Sequence, residues 1–135
     1  MATTSTQTTA SAATGGRKKA DLTPLREMDG YIGSALVDLS SGMTLATDGG
    51  GQTIDMEMAA AGNTDVIREK REIVTKLRLN DKIEDMLISL YKQYHLLRPL
   101  ESNDDICVYV VLDRAKANLG MAKKDLNEFE KGLEL

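Results

Sequence analysis

"ICVYVVLDRAKANLGMAKKDL", residues 106–126, decides the fold. From Ile106 to Leu112 the stretch is apolar at every position. A strand with one wet face alternates apolar and polar side chains, so a run without alternation reads as covered on both faces. The helix that follows can supply one cover. Ala115, Leu119, Ala122, Leu126, Phe129 and Leu133 recur every three or four residues, with Lys123, Lys124, Asp125, Asn127, Glu128, Glu130 and Lys131 around the rest. A central strand and its covering helix imply a layered domain whose other elements lie upstream.

Immediately before this stretch, "KIEDMLISLYKQYHLLRPL", 82–100, reads as two strands with Lys92 and Gln93 at the turn. Met86, Ile88 and Leu90 alternate on one face, and Leu87 and Tyr91 lie on the other. A helix over 82–92 competes, because Ile83, Leu87, Leu90 and Tyr91 also fit a 3.6 period. With acids at Glu84 and Asp85, residues 84–90 suit a sheet edge, and 106–112 suit its middle.

Residues 54–79 form the longest helical candidate. Ala59, Gly62, Val66, Ile73 and Leu77 make one apolar stripe, with Ala60, Ile67 and Val74 beside it. Gly62 and Asn63 are poor helix formers and mark either a break or a close approach of another backbone. Residues 31–47 read as a hairpin whose loop, Ser40-Ser41-Gly42, offers a glycine for positive φ. "DGGGQ", 48–52, reads as a flexible break. A short helix opens the domain, with Thr23 as cap, Pro24 at its first position and Gly30 at its exit. Its Leu22, Leu25 and Met28 share one side.

The totals agree with one soluble domain. The chain has 135 residues, is 41% hydrophobic and 28% charged, and contains one Phe and no Trp, so its core is aliphatic. No apolar run is long enough to span a bilayer. Residues 1–20, rich in Thr, Ser and Ala, hold no Leu, Ile, Val, Phe or Tyr and read as a disordered tail before a domain at 21–135. The tail carries three basic residues and no acid, leaving 14 basic and 21 acidic residues, net −7, on the remainder. An acidic body argues against nucleic-acid binding and against docking on anionic lipid. One Cys and one His exclude an internal disulfide and an ordinary four-ligand zinc site. Cys107 reads as a small buried hydrophobe in a reducing compartment.

Candidate chemistry is sparse. His95 has no nucleophile suggested near it and reads as a strand histidine with a satisfied hydrogen bond. The neighbouring acids Glu84-Asp85 and Asp104-Asp105 point to opposite faces if extended, and read as solvated flanks. Gly49 to Gly51 lack the Gly-Lys-Ser/Thr ending of a phosphate loop. Arg68, Arg71 and Arg78 on the long helix are candidates to touch a partner, against the plainer reading of a wet face with Arg68 paired to Glu72. No catalytic residue, cofactor or metal site is expected.

The order of elements, α-β-β-α-β-β-β-α, and several local stretches resemble the Roadblock/LC7 (dynein light chain) domains of bacterial type. "GSALVDLSSGMTLA", 33–46, is similar to that family's first hairpin. "YHLLRPL", 94–100, resembles its fourth strand, and "DDICVYVVLDRAKANLGMAKKDLNEF", 104–129, its last strand and helix. The resemblance implies an α+β fold of profilin-like architecture: a five-stranded, mainly antiparallel sheet with helices on both faces. It also implies a cytoplasmic, non-enzymatic homodimer that scaffolds or activates a small Ras-like GTPase. Edge strands pair and long helices lie side by side, which places Val66, Ile67, Arg68, Arg71, Ile73, Val74, Met86, Leu87 and Ile88 at the dimer or partner interface. The alternative is a monomeric small-ligand sensor, which needs a cavity with convergent polar groups.

Overall fold

The computed structural model describes residues 20–133. The tail expected over 1–20 falls outside them, apart from Ala20. A 3-10 helix, Thr23–Glu27, is followed by β1 (Tyr31–Asp38), β2 (Thr44–Gly49), α1 (Met56–Lys76), β3 (Met86–Ser89), β4 (Gln93–Pro99), β5 (Ile106–Asp113) and α2 (Leu119–Lys131). The five strands form one sheet in the order β2-β1-β5-β4-β3, every neighbour antiparallel. Residues 82–92 therefore hold a strand, not the competing helix.

β5 lies in the middle, and its seven apolar residues are buried on both faces. Alternation divides them between two cores. Val108, Val110 and Leu112 join Leu36, Leu96, Leu25 and Met28 beneath Ala122 and Leu126 of α2. Cys107, Tyr109 and Val111 join Ala35, Val37 and Leu97 beneath Met56, Ala60 and Ile67 of α1. The continuous apolar run thus reflects two covers, α2 with the 3-10 helix on one side and α1 on the other.

Local chemistry moves several boundaries. The opening helix is a single 3-10 stretch, and Thr23 does not cap it. Instead Thr23 donates its amide (3.0 Å) and hydroxyl (2.7 Å) to Asp21 Oδ1. Arg26 donates to Asp48 (3.0 Å), tying this element to β2. The first two residues of "DGGGQ" belong to β2, and Gly49, Gly50 and Gly51 take φ of 71°, 84° and 53°. A Cβ on Gly50 would stand 2.4 Å from the Ile54 carbonyl oxygen, so this link is a tight left-handed turn that admits no side chain there.

α1 runs unbroken through Gly62 and Asn63. Its cap is Asp55, which accepts from the Met58 amide (3.1 Å). The β3–β4 turn sits one residue earlier than expected, with Tyr91 and Lys92 at its tip and the Leu90 amide donating to the Gln93 carbonyl (2.8 Å). α2 starts at Leu119, because Asn118 accepts from the Met121 amide (3.1 Å) and caps it there. Ala115 is thereby left exposed in the preceding turn.

From the last turn of α2, Glu130 Oε2 accepts from the amides of Glu101 (2.7 Å) and Ser102 (3.3 Å), fastening the helix to the β4–β5 connection. Its Oε1 is buried without a partner, which offsets part of the gain. Glu130→Ala should lower the unfolding free energy by about 1 kcal/mol, read from the urea midpoint at constant slope. No helix among the described residues is long and apolar enough to cross a membrane.

Candidate functional site

α1 packs on β1 and β2 and leaves the same face of β4 and β3 only half covered. Met86 and Ile88 of β3 and His95 of β4 are half-buried there. Met86 and Ile88 lean on the α1-side core, as does Ile83. Asn63 of α1, whose Nδ2 donates to the Ala59 carbonyl (2.9 Å), lies near the Tyr109 hydroxyl, so that side of the helix looks toward the open half. Val66 follows one turn later and is 44% exposed, with half-buried Ile73 two turns beyond it. The result is an apolar angle between a helix and a sheet, ending at the unpaired edge of β3. Leu77, Leu79, Leu90 and Tyr91 are exposed near its ends in sequence, after α1 and after β3.

A polar chain crosses the floor of this angle. His95 Nε2 lies 2.9 Å from Gln93 Oε1, and His95 Nδ1 lies 2.8 Å from the Tyr109 hydroxyl. Because Gln93 Oε1 can only accept, Nε2 carries the proton and Nδ1 accepts from Tyr109. Burial holds the His95 ring below its usual range and pushes the Tyr109 hydroxyl up to about 12. It also pushes the Cys107 thiol up to about 12, so Cys107 is a protonated core residue without nucleophilic character.

Arg68 and Arg71 both reach loop carbonyls. Arg68 Nη2 donates to the Ser40 carbonyl (3.0 Å) in the β1–β2 loop, and Arg71 Nη2 donates to the Asp104 carbonyl in the β4–β5 connection. The expected Arg68–Glu72 ion pair does not form among the described residues. Both guanidiniums instead fasten loops at one end of the sheet.

Two surface depressions among the described residues are best formed. One of about 100 Å³ lies between the 3-10 helix and α2, and one of about 480 Å³ follows Gly49, Gly51 and the start of α1. Both are open and mainly polar, unlike the enclosed apolar cavity a ligand sensor needs. No cluster of three metal-binding side chains occurs among the described residues.

No family model matches this sequence, and no curated protein does. Solved structures do match. A Roadblock/LC7 domain from Streptomyces avermitilis superposes with a TM-score of 0.67 at 12% identity, over 81% of this chain and 87% of that one. The chain has the Roadblock/LC7 fold. MglB from Myxococcus xanthus agrees with a TM-score of 0.64 at 17% identity, over 75% of this chain and 72% of the other. A further MglB, solved with a tetrameric arrangement, matches at 0.64 and 16% identity, over 80% and 77%.

Within this Roadblock/LC7 fold the expected interface residues divide. Val66 and Ile73 of α1 and Met86 and Ile88 of β3 border one open angle, with half-buried Val74 beside them on α1. Ile67 is instead fully buried under α1, in the chain's own core. Leu87 points to the opposite face and packs on the α2-side core. Sequence reasoning missed the Tyr109–His95 link. Its signal was a lone tyrosine in an otherwise aliphatic buried strand, whose hydroxyl must find a partner.

Proposed function

We propose that this domain is a homodimeric, non-enzymatic interaction module that binds a small Ras-like GTPase and regulates or tethers it. The observation that carries the reading is the half-covered angle between α1 and the open edge of β3. Apolar surface beside unpaired strand amides is the kind of surface that a protein partner covers.

A second copy fits it. Exposed acid, Glu84, precedes β3, and exposed bases, Lys92 and Arg114, stand at its far end. Antiparallel pairing of β3 with its own copy sets the acid of one beside the bases of the other. The MglB solved in a tetrameric arrangement supports self-association on this fold. Paired copies would set two α1 helices side by side as a docking platform, with Val66, Ile73, Val74, Met86 and Ile88 at the junction. Arg68 and Arg71, bound to loop carbonyls, act in this reading as supports of that platform.

The GTPase is argued from the resemblance of the sequence, joined to the fold it shares with MglB. A cytoplasmic setting accords with such a partner and with the unpaired thiol of Cys107. The test mixes the purified protein with a candidate small GTPase loaded with GDP or with a non-hydrolysable GTP analogue. A complex favouring one nucleotide state is expected, and hydrolysis rates then separate activation from tethering. No complex in either state removes the GTPase from the reading while leaving self-association standing.

A further inference from the structure

We propose that His95 makes self-association acid-labile, because a second copy seated on the open angle closes water away from a ring whose partners there are all uncharged. The proposal rests on the homodimer reading above.

His95 is the single histidine in the chain. Its two nitrogens are both engaged, Nε2 with Gln93 Oε1 and Nδ1 with the Tyr109 hydroxyl. This arrangement suits one neutral tautomer. Protonation puts a hydrogen on Nδ1 that faces the hydrogen of Tyr109, and the hydroxyl hydrogen must swing away before its oxygen can accept it. Among the described residues the positive charge gains no counter-ion: Tyr109 from β5 is the titratable group bonded to the ring, and it stays neutral. Gln93 on the ring's own strand, Ile88 opposite it on β3 and Asn63 on α1 carry no charge. Burial is the sole cause of the depressed proton affinity of the ring.

In the single chain the ring is only half-buried, so water can still hydrate an imidazolium from the open side. A copy covering Met86, Ile88 and Val66 removes that water and disfavours the charged ring further. Separated copies then bind protons more readily than the pair. Association is at full strength above the separated chain's own His95 midpoint, which burial already holds below 6.5, and weakens as pH falls through that midpoint. Folding shares this sign, so the test must read association apart from unfolding.

Sedimentation equilibrium of the full chain at pH 7.5 and 5.5 does so, with circular dichroism confirming the fold at both. The wild-type dissociation constant should rise at least about threefold at pH 5.5, and that of His95→Gln should change by less than about twofold. An unchanged wild-type constant, or a His95→Gln response equal to wild type, overturns the switch and leaves the homodimer intact. A wild-type protein monomeric at every concentration at pH 7.5 overturns both. Should His95→Gln not associate even at pH 7.5, proton NMR of the lone wild-type ring decides. A midpoint that falls as protein concentration rises supports the switch, and one independent of concentration overturns it.

Discussion

Val66→Glu should abolish self-association, raising the dissociation constant at least about 100-fold, while leaving the fold intact. Val66 is 44% exposed on the side of α1 that borders the open angle. In the separated chain a glutamate there remains in water, and exposed substitutions of this kind usually change stability by no more than about 0.5 kcal/mol. In a symmetric pair the same change carries two carboxylates into an apolar junction with no new cation. A 100-fold loss corresponds to about 2.7 kcal/mol, a modest demand for burying unpaired charge. Met58→Glu is the control, since Met58 is 72% exposed on α1 and stands outside the proposed surface. Light scattering after size exclusion reads the mass, and melting reads the fold. Wild-type melting should rise with protein concentration, and that of Val66→Glu should not. A Val66→Glu protein that still pairs would place the junction elsewhere.

Ile67→Ala should do the reverse. Ile67 is fully buried between α1 and the sheet, in a core with Ala35, Val37, Leu97, Tyr109 and Val111. Truncating it removes buried methyl and methylene groups and leaves a cavity, a change that costs about 2–5 kcal/mol. Urea unfolding at a concentration where the chain is monomeric should show the midpoint falling with the slope nearly unchanged. Wild-type stability in that experiment, joined to lost association, would return Ile67 to the interface.

These adjacent residues show where sequence reading stops. The period of 54–79 yields two neighbouring apolar stripes, but periodicity measures angle around the helix axis and carries no reference to the sheet. Only tertiary packing decides that the stripe of Ala60 and Ile67 faces inward while Val66 stays at the rim. β5 was legible because lack of alternation is itself a statement about both faces. The strand at 86–89 was legible as an edge from its acidic approach. The Arg68–Glu72 pair was misread because an i, i+4 pattern names only local partners, and the acceptor of Arg68 lies 28 residues away at Ser40. "DGGGQ" was misread for a related reason. Glycine composition states what the backbone is free to do, whereas the crowding of Gly50 against Ile54 states what it must do.

Ala20 and Leu133, the first and last residues described, both rest on the α2-side core. The first and last described residues therefore lie on the back of the sheet, opposite α1. A fluorescent label or surface tether attached next to Leu133 should start on the side away from α1. Labelled chains can then be mixed for energy-transfer or single-molecule recording without the label obstructing the encounter it is meant to report.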